Sequence, residues 1–410
     1  MSAQILLKIL PILVIVAVAG CEFSVDSSKV QDQEQVFTVT DDVVNRIVDH
    51  NTAAKSSDVS VGKDATDYLT LDYTIDSPVI GGIKTRASHL YLHNNTVYIG
   101  YKVYKGDFGG GIDIVNASNG NVLESAYSFQ SDVFDVQEVV YDPEEDALYV
   151  AGAQPRKSEG APKSWVIKMD PDDAEIEESV GLSGNVAKSV DVSNFANGEY
   201  VYAVSDYDDL YRFDKNLGSQ EVLSAEGGVE FRSVGARFQN QVFTLDLKGN
   251  VRRVNPSYNG FQWTLDLTNN DEFDTDLGIA RLNYFNNNDP NIVLVALNEY
   301  GWAALNPAGQ TAWVEDNGKY YVSLTGYNNG ENGKNKKLYV YAANSSDDGQ
   351  FIDIYDLPNG FQGQGPDLIE SLNLNDFSGL TDAPINHVIA TDDHLYVAKG
   401  QDGVLIFSIN

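Results

Sequence analysis

Five cationic or titratable side chains recur near the start of a predicted strand, each at a comparable place in a sequence repeat. Only 27 of the 410 residues are Lys or Arg, so the recurrence stands out. The five are Arg86, Lys188, Arg232, Arg281 and His387. If they converge, their fields add and attract a carboxylate, a phosphate or an acidic peptide. The alternative is that each cation pairs with an acid of a neighbouring unit and holds the structure together.

Two histidines add a second possible chemistry. His89 and His387 lie in the first and last repeat units, and closing the repeats into a ring would make them neighbours. With Glu138 nearby, two imidazoles and a carboxylate could bind a metal or transfer protons. The alternative is that His89 is a hydrogen-bonded residue of an inner strand. We therefore predict a binding site that includes His89 and Glu138 beside the five residues above, and we assign no metal to it.

Motifs of common enzyme classes are missing from the chain. It contains no Gly-x-Ser-x-Gly, no His-Glu-x-x-His and no phosphate-binding loop, so no catalytic residue is assigned. Acidic turns at Asp170–Asp173 and 266–278 carry enough oxygen atoms for weak calcium binding, but neither matches a calcium-loop motif. We predict no cofactor apart from such weak calcium binding.

The element that must position these residues is a four-residue phrase, repeated seven times at intervals of roughly 40 to 60 residues. The copies begin at Val97, Leu148, Val201, Val242, Ile292, Leu338 and Leu395. An extended segment and a polar turn precede each phrase, and further strands follow it, which gives four strands per unit. This period and this strand count predict an all-β, seven-bladed β-propeller of four-stranded antiparallel blades over residues 68–410.

The last unit has only three strands before the chain ends at Asn410. The alternating segment at 68–75 lies just before the first unit and can supply the missing outer strand. Pairing it with the last three strands closes the ring and removes exposed sheet edges. The sequence therefore predicts ring closure by an N-terminal strand.

Two stretches carry family resemblances. Gly110–Asn116 and Asp402–Ser408 resemble the LVIVD-type propeller repeats of bacterial surface proteins. Ala304–Trp313 is similar to the blade motif of quinoprotein-like propellers, a family that includes an outer-membrane assembly lipoprotein. Both resemblances imply a propeller, and the second adds an assembly subunit as one alternative function.

The N-terminus has the pattern of a secretory signal. Residues 1–20 carry Lys8 and then an apolar run that is too short to span a membrane stably. Val18–Cys21 resembles the lipobox of bacterial lipoproteins, and by that resemblance Cys21 carries the lipid. The Ser- and Asp-rich segment 21–67 is predicted to be a flexible tether, with a short helix near 41–48. These features predict a lipid anchor at the bacterial outer membrane or cell surface.

Net charge excludes one class of partner. Sixty acidic residues against 27 basic ones give a formal charge of −33, which repels nucleic acid. We expect a monomeric binding or scaffold lipoprotein for a protein or an anionic ligand, in preference to an enzyme. The alternatives are a hydrolase or lyase acting on an anionic sugar or lactone, and an outer-membrane assembly subunit.

Overall fold

Seven antiparallel sheets form a closed ring in the computed structural model. The structure describes residues 37–50, 68–104, 108–116, 126–155, 163–195, 198–225, 227–238, 241–269, 271, 280–284, 292–306, 308, 311–316, 318–329, 337–346, 349–357, 365–377, 379–391 and 393–409. The predicted signal peptide over 1–20 and the predicted lipidation site Cys21 lie outside these residues. No helix in the described ranges is long and apolar enough to cross a membrane.

Five short strands precede the first blade. They are β1 (Thr38–Thr40), β2 (Ile47–Asp49), β3 (Leu69–Ile75), β4 (Val79–Ile80) and β5 (Ile83–Lys84). A 3-10 turn over Asp42–Arg46 separates β1 from β2, and a second 3-10 turn over Leu374–Asp376 follows blade 6.

The blades follow in chain order, and each is given from the ring axis outward. Blade 1 is β6 (Arg86–His93), β7 (Thr96–Lys102), β8 (Gly110–Asn116) and β9 (Ala126–Ser131). Blade 2 is β10 (Asp135–Asp142), β11 (Ala147–Ala153), β12 (Ser164–Met169) and β13 (Ile176–Leu182). Blade 3 is β14 (Ala187–Phe195), β15 (Gly198–Ser205), β16 (Asp209–Asp214) and β17 (Gln220–Ser224). Blade 4 is β18 (Phe231–Phe238), β19 (Gln241–Asp246), β20 (Asn250–Val254) and β21 (Phe261–Asp266).

Blades 5 to 7 complete the ring. Blade 5 is β22 (Leu282–Tyr284), β23 (Val293–Ala296), β24 (Trp302–Leu305) and β25 (Thr311–Glu315). Blade 6 is β26 (Tyr320–Asn329), β27 (Lys337–Ser346), β28 (Gly349–Asp356) and β29 (Asp367–Asn373). Blade 7 is β30 (His387–Ala390), β31 (His394–Ala398) and β32 (Val404–Ile409), with β3 as its outer strand.

The predicted seven-bladed propeller and its closure are confirmed. Strand β3 pairs with β32 from Leu69 opposite Ile409 to Ile75 opposite Val404, and the inner strands of blades 7 and 1 contact each other. Gly403 turns the chain beside this seam at φ +86°, and a Cβ there would collide with the Ile75 carbonyl oxygen. Ring closure therefore depends on a glycine as well as on the borrowed strand.

The repeated phrases form the second strand of each blade and lie in the core. In β11 every residue is buried, because both faces of the strand pack against neighbouring blades. These tyrosines and valines therefore pack the ring.

Residues 37–50, which we call the clasp, belong to the predicted tether over 21–67 but form strands on the ring. Strand β1 pairs with β9 of blade 1, and β2 pairs with β3 of blade 7. Phe37 and Val43 are fully buried. The predicted short helix near 41–48 is a 3-10 turn over Asp42–Arg46 that buries Val43. Strands form on either side of it, because two blade edges there offer unpaired backbone groups.

Candidate functional site

The inner strands line a central channel, and most of them carry a β-bulge near their first residues. The pairing register shifts by one residue in β6, β10, β14, β18 and β26. The extra residues are Ser88, Gln137, Lys188, Arg232 and Val322. A bulge redirects a side chain, so it determines which residue faces the channel mouth and which faces the next blade.

The side chains directly after these bulges connect the blades, and so does His387 at the start of the regular strand β30. His89 Nδ1 accepts a hydrogen bond from the Val139 N–H at 3.4 Å, and His387 Nδ1 accepts one from the Leu90 N–H at 3.0 Å. The Oγ atoms of Ser189, Ser233 and Ser323 accept from backbone N–H groups of the following blade at 3.1 to 3.3 Å. Buried backbone donors need such partners, so this belt of inter-blade hydrogen bonds satisfies amides that no strand can reach.

The two histidines meet as predicted from ring closure. Their rings stack with centroids 4.4 Å apart, and His89 Nε2 lies 3.6 Å from Glu138 Oε1. Because a backbone N–H donates to each Nδ1, the neutral rings carry their proton on Nε2. A metal ligand must be unprotonated, so this tautomer does not suit metal binding at Nε2. In the described part of the chain, no group of three His, Cys, Asp or Glu side chains could hold a metal ion.

Arg281 crosses the channel as a strut. Its side chain leaves blade 5, and Nη1 donates to Glu138 Oε2 of blade 2 at 2.8 Å while Nη2 donates to the Ser88 carbonyl of blade 1 at 3.2 Å. Arg281 is only 4% exposed. Burial lowers its pKa and raises the pKa of Glu138 to about 7; Arg281 opposes the Glu138 shift, and Asp191 adds to it.

A small pocket lies beyond the strut. Its volume is ≈ 70 Å³, and its lining includes His89, His387, Asp191, Asn283, Leu92 and Ile389. The lining runs from Arg281 and His387, where their strands begin, to Leu92 and Ile389 late in theirs, so the pocket extends from the strut into the half of the channel away from the mouth. It has room for a few water molecules and is far smaller than a typical ligand pocket.

The remaining predicted cations lie at the mouth, where the inner strands begin. Glu230 Oε1 lies 3.1 Å from Arg232 Nη1 and 3.9 Å from Lys188 Nζ. Burial lowers the pKa of both cations, and for Lys188 the neighbouring Arg232 adds to the shift. These contacts resemble the structural pairs considered as the alternative to ligand binding.

Arg86 has different surroundings. Its guanidinium lies 3.6 Å from the centroid of the Tyr104 ring, and its position is directly opposite Lys102 across β6 and β7. Lys102 Nζ donates to Gln137 Oε1 at 2.8 Å. Burial lowers the pKa of Lys102 to about 7, and the charges of Lys188, Arg281 and Arg86 add to this shift while Asp135 opposes it.

Lys102 does not follow the repeat pattern of cations in the sequence. The recurring cations lie near the starts of first strands, whereas Lys102 lies at the end of a second strand. The two strands of a hairpin pair symmetrically about their turn. The turn between β6 and β7 therefore places residue 102 within one position of the residue opposite Arg86, so hairpin pairing could have identified Lys102. In the predicted calcium turn at Asp170–Asp173, the Asp170 and Asp173 carboxylates accept hydrogen bonds from the N–H groups of Asp172 and Glu175. Most of the other predicted turn, 266–278, lies outside the described residues.

Comparison with known proteins supports the fold alone. No protein-family model and no curated protein matches the sequence. Among solved structures, the chain is similar to the WD40 repeats of RRP9, with 12% identity, a TM-score of 0.56 and coverage of 82% of this chain and 98% of that one. The WD40 β-propeller domain of Doa1 gives 14% identity and a TM-score of 0.53, with 84% and 97% covered. A chain of a mitotic checkpoint complex gives 12% and 0.58, with 87% and 94% covered.

Proposed function

We propose that the chain is a lipid-anchored lipoprotein of the bacterial cell envelope whose propeller is a binding module for a partner protein. The partner docks on the mouth face, which we define as the residues at the starts of the inner strands together with the loops 76–85, 103–104, 132–134 and 206–208. A rigid ring that presents variable loops suits such a role.

The observation that carries the proposal is the coincidence of charge and exposed apolar surface on this one face. Arg86, Lys102 and Lys188 lie at the mouth, in a chain with a large excess of acids. Large apolar or aromatic side chains stand exposed in the surrounding loops: Val79 (61%), Tyr207 (53%) and Tyr104 (50%), with Ile83 and Val133 less so. Exposed apolar groups close to charges are typical of protein-binding surfaces.

The channel itself favours binding over catalysis. An acid–base pair needs titratable atoms that can reach a substrate. Both histidine Nδ1 atoms are engaged by backbone amides, and Arg281 and Glu138 are engaged with each other. These contacts support a binding module more strongly than the hydrolase or lyase alternative.

Site-specific photo-crosslinking tests the docking face. A photoreactive phenylalanine analogue replaces Tyr207 on the mouth face, and a matched variant carries it at Asn95, an exposed turn residue at the opposite end of the blades. We expect a discrete crosslinked protein band in intact cells from position 207 and none from position 95. Equal labelling from both positions, or none from position 207, contradicts the proposal.

Anchoring is tested by removing the thiol. Cys21→Ser cannot accept the lipid, so we expect the protein to move from the membrane fraction to the soluble fraction. Fractionation and immunoblotting measure the distribution, with Ser24→Ala as the matched control that stays with the membrane. Membrane association of Cys21→Ser equal to that of the control contradicts the anchor.

A further inference from the structure

Arg86 and Lys102 form a pair of like charges, and the carboxylate of Asp135 offsets the charge of Lys102 only in part. They are cross-strand partners in blade 1, and neither makes an ion pair with a described carboxylate. Other cations of the ring do have acidic partners. Examples are Lys168 with Glu145 and Glu177, Arg212 with Glu221, Lys215 with Asp142, and Lys399 with Asp402.

Without a bound anion, this pair of charges destabilises the ring. Like charges directly opposite each other on a sheet destabilise it, and withdrawing an ammonium from water adds a further cost. Burial depresses the pKa of Lys102 to about 7; the charges of Lys188, Arg281 and Arg86 add to the shift, and Asp135 opposes it. An anion between the two side chains would relieve both costs, whereas the paired cations elsewhere gain nothing from one.

The side chains are already held in place. Tyr104 supports the face of the Arg86 guanidinium at 3.6 Å, which leaves the in-plane N–H groups to bind an anion. Gln137 Oε1 accepts one of the three Lys102 protons at 2.8 Å. Lys188 of blade 3 lies close enough to repel Lys102, and its contact with Glu230 is long, at 3.9 Å.

We infer that Arg86 and Lys102, with Lys188 beside them, form a carboxylate-binding site that takes an Asp or Glu side chain of the docked partner. The inference rests on the proposed function and names the chemistry of its recognition. A carboxylate fits the fork of an arginine. Asp and Glu are also the acidic side chains that an unmodified partner protein presents.

Calorimetry on the full chain in detergent micelles tests the site with defined probes. The probes are citrate and a synthetic peptide of Asp and Phe residues, and the same peptide with Asn in place of Asp is the control. We expect the Asp peptide to bind, citrate to compete with it, and the Asn peptide to bind at least about ten-fold more weakly. Equal binding of the Asp and Asn peptides overturns the inference.

Variants locate the site. We expect Arg86→Gln with Lys102→Gln to weaken binding of the Asp peptide by about ten-fold or more. Lys168→Gln, whose lysine has acidic partners of its own, is the matched control and should leave binding unchanged. Binding that survives the double substitution at full strength overturns the site.

A pH profile separates a binding role from a structural one. The ammonium form of Lys102 binds the carboxylate, so affinity falls as pH rises above about 7. Lys102→Arg keeps its charge and should abolish this fall. An unchanged fall in Lys102→Arg contradicts the role given to Lys102.

Failure of this inference can be told from failure of the proposed function. If the Tyr207 crosslink persists in the double Gln variant, partner docking stands and the carboxylate site falls. If citrate binds through Arg86 and Lys102 but no crosslink forms, the site stands and the protein partner falls.

Discussion

The channel residues show how one extra residue in a strand decides the role of a side chain. Ring closure and repeat position were enough to predict that His89 and His387 become neighbours. They could not predict the partners, because the bulge in β6 redirects His89 and because the partners of His387 and Arg281 lie on other blades. The structure gives His89 and His387 a place in the inter-blade belt and gives Arg281 a partner across the channel.

The strut makes stability depend on pH through Glu138. Its pKa in the folded protein is about 7, above the ordinary 4.5, so the folded state holds a proton that the unfolded state releases. The contribution is therefore fully present below about pH 4.5 and is lost as pH rises through about 7. We expect Glu138→Gln to flatten the fall in the free energy of unfolding across this window.

Urea unfolding at a series of pH values measures this difference. Glu145→Gln, at a partly exposed acid that pairs with Lys168, serves as the matched control and should retain the wild-type slope. Parallel curves for the wild type and Glu138→Gln would show that Glu138 does not hold the proton.

At the scale of elements, the clasp supplies the cation that pairs with a buried carboxylate in blade 1. Asp113 is fully buried in the middle strand of the blade, and Arg46 of the clasp reaches its two carboxylate oxygens at 2.8 and 2.9 Å. Burial raises the pKa of Asp113, and Arg46 opposes that shift. Blade 6 repeats the arrangement with Asp353 and Lys319, whose Nζ lies at 2.7 Å.

The clasp could have been found only in part from the sequence. The phrases Gly111-Ile112-Asp113-Ile114 and Phe351-Ile352-Asp353-Ile354 place an acid between apolar residues, which signals a buried carboxylate in need of a cation. The cation for Asp113 comes from 67 residues away. Local patterning around 41–48 predicts a short helix, which the 3-10 turn over Asp42–Arg46 confirms in part, but it does not indicate the strand pairing of β2.

Removing the clasp cation should therefore be costly. Arg46→Met leaves Asp113 buried without its partner, and we expect a loss of about 3–5 kcal/mol in the free energy of unfolding. Arg212→Met is the matched control, because its partner Glu221 is exposed, and it should cost about 1 kcal/mol or less. Chemical denaturation measures both variants.

A second substitution checks the cause. Asp113→Asn in the Arg46→Met background removes the buried charge and should recover part of the loss. Equal losses for Arg46→Met and Arg212→Met would show that the clasp is not held by this pair.

At the scale of the whole molecule, the periodicity of the sequence predicted the architecture, whereas the net charge predicted little about the partner. Seven phrases, a missing outer strand and an alternating segment at 68–75 determine a closed ring, because each blade repeats the same packing problem. The partner leaves no comparable mark, since its recognition depends on a few mouth residues brought together from separate blades. Lys102 illustrates this, because it is an ordinary strand-end lysine until Arg86 and Lys188 are placed around it.

Closure itself is testable by deletion. Removing residues 68–75 exposes the edge of β32 and takes away the buried Leu69 and Leu71, so we expect an aggregating protein. Size-exclusion chromatography and thermal melting follow the outcome, and Thr70→Asp, on the less buried face of β3, is the soluble control. A deletion variant that is monomeric and melts cooperatively would argue against closure by this strand.

A crystal structure of the propeller grown with citrate tests the central claim most directly. The account predicts carboxylate oxygens within hydrogen-bonding distance of the Arg86 guanidinium and the Lys102 ammonium, with the Arg281–Glu138 strut in place across the channel. Citrate bound beyond the strut, against His89 and His387, or a mouth without citrate at saturating concentration, would contradict it.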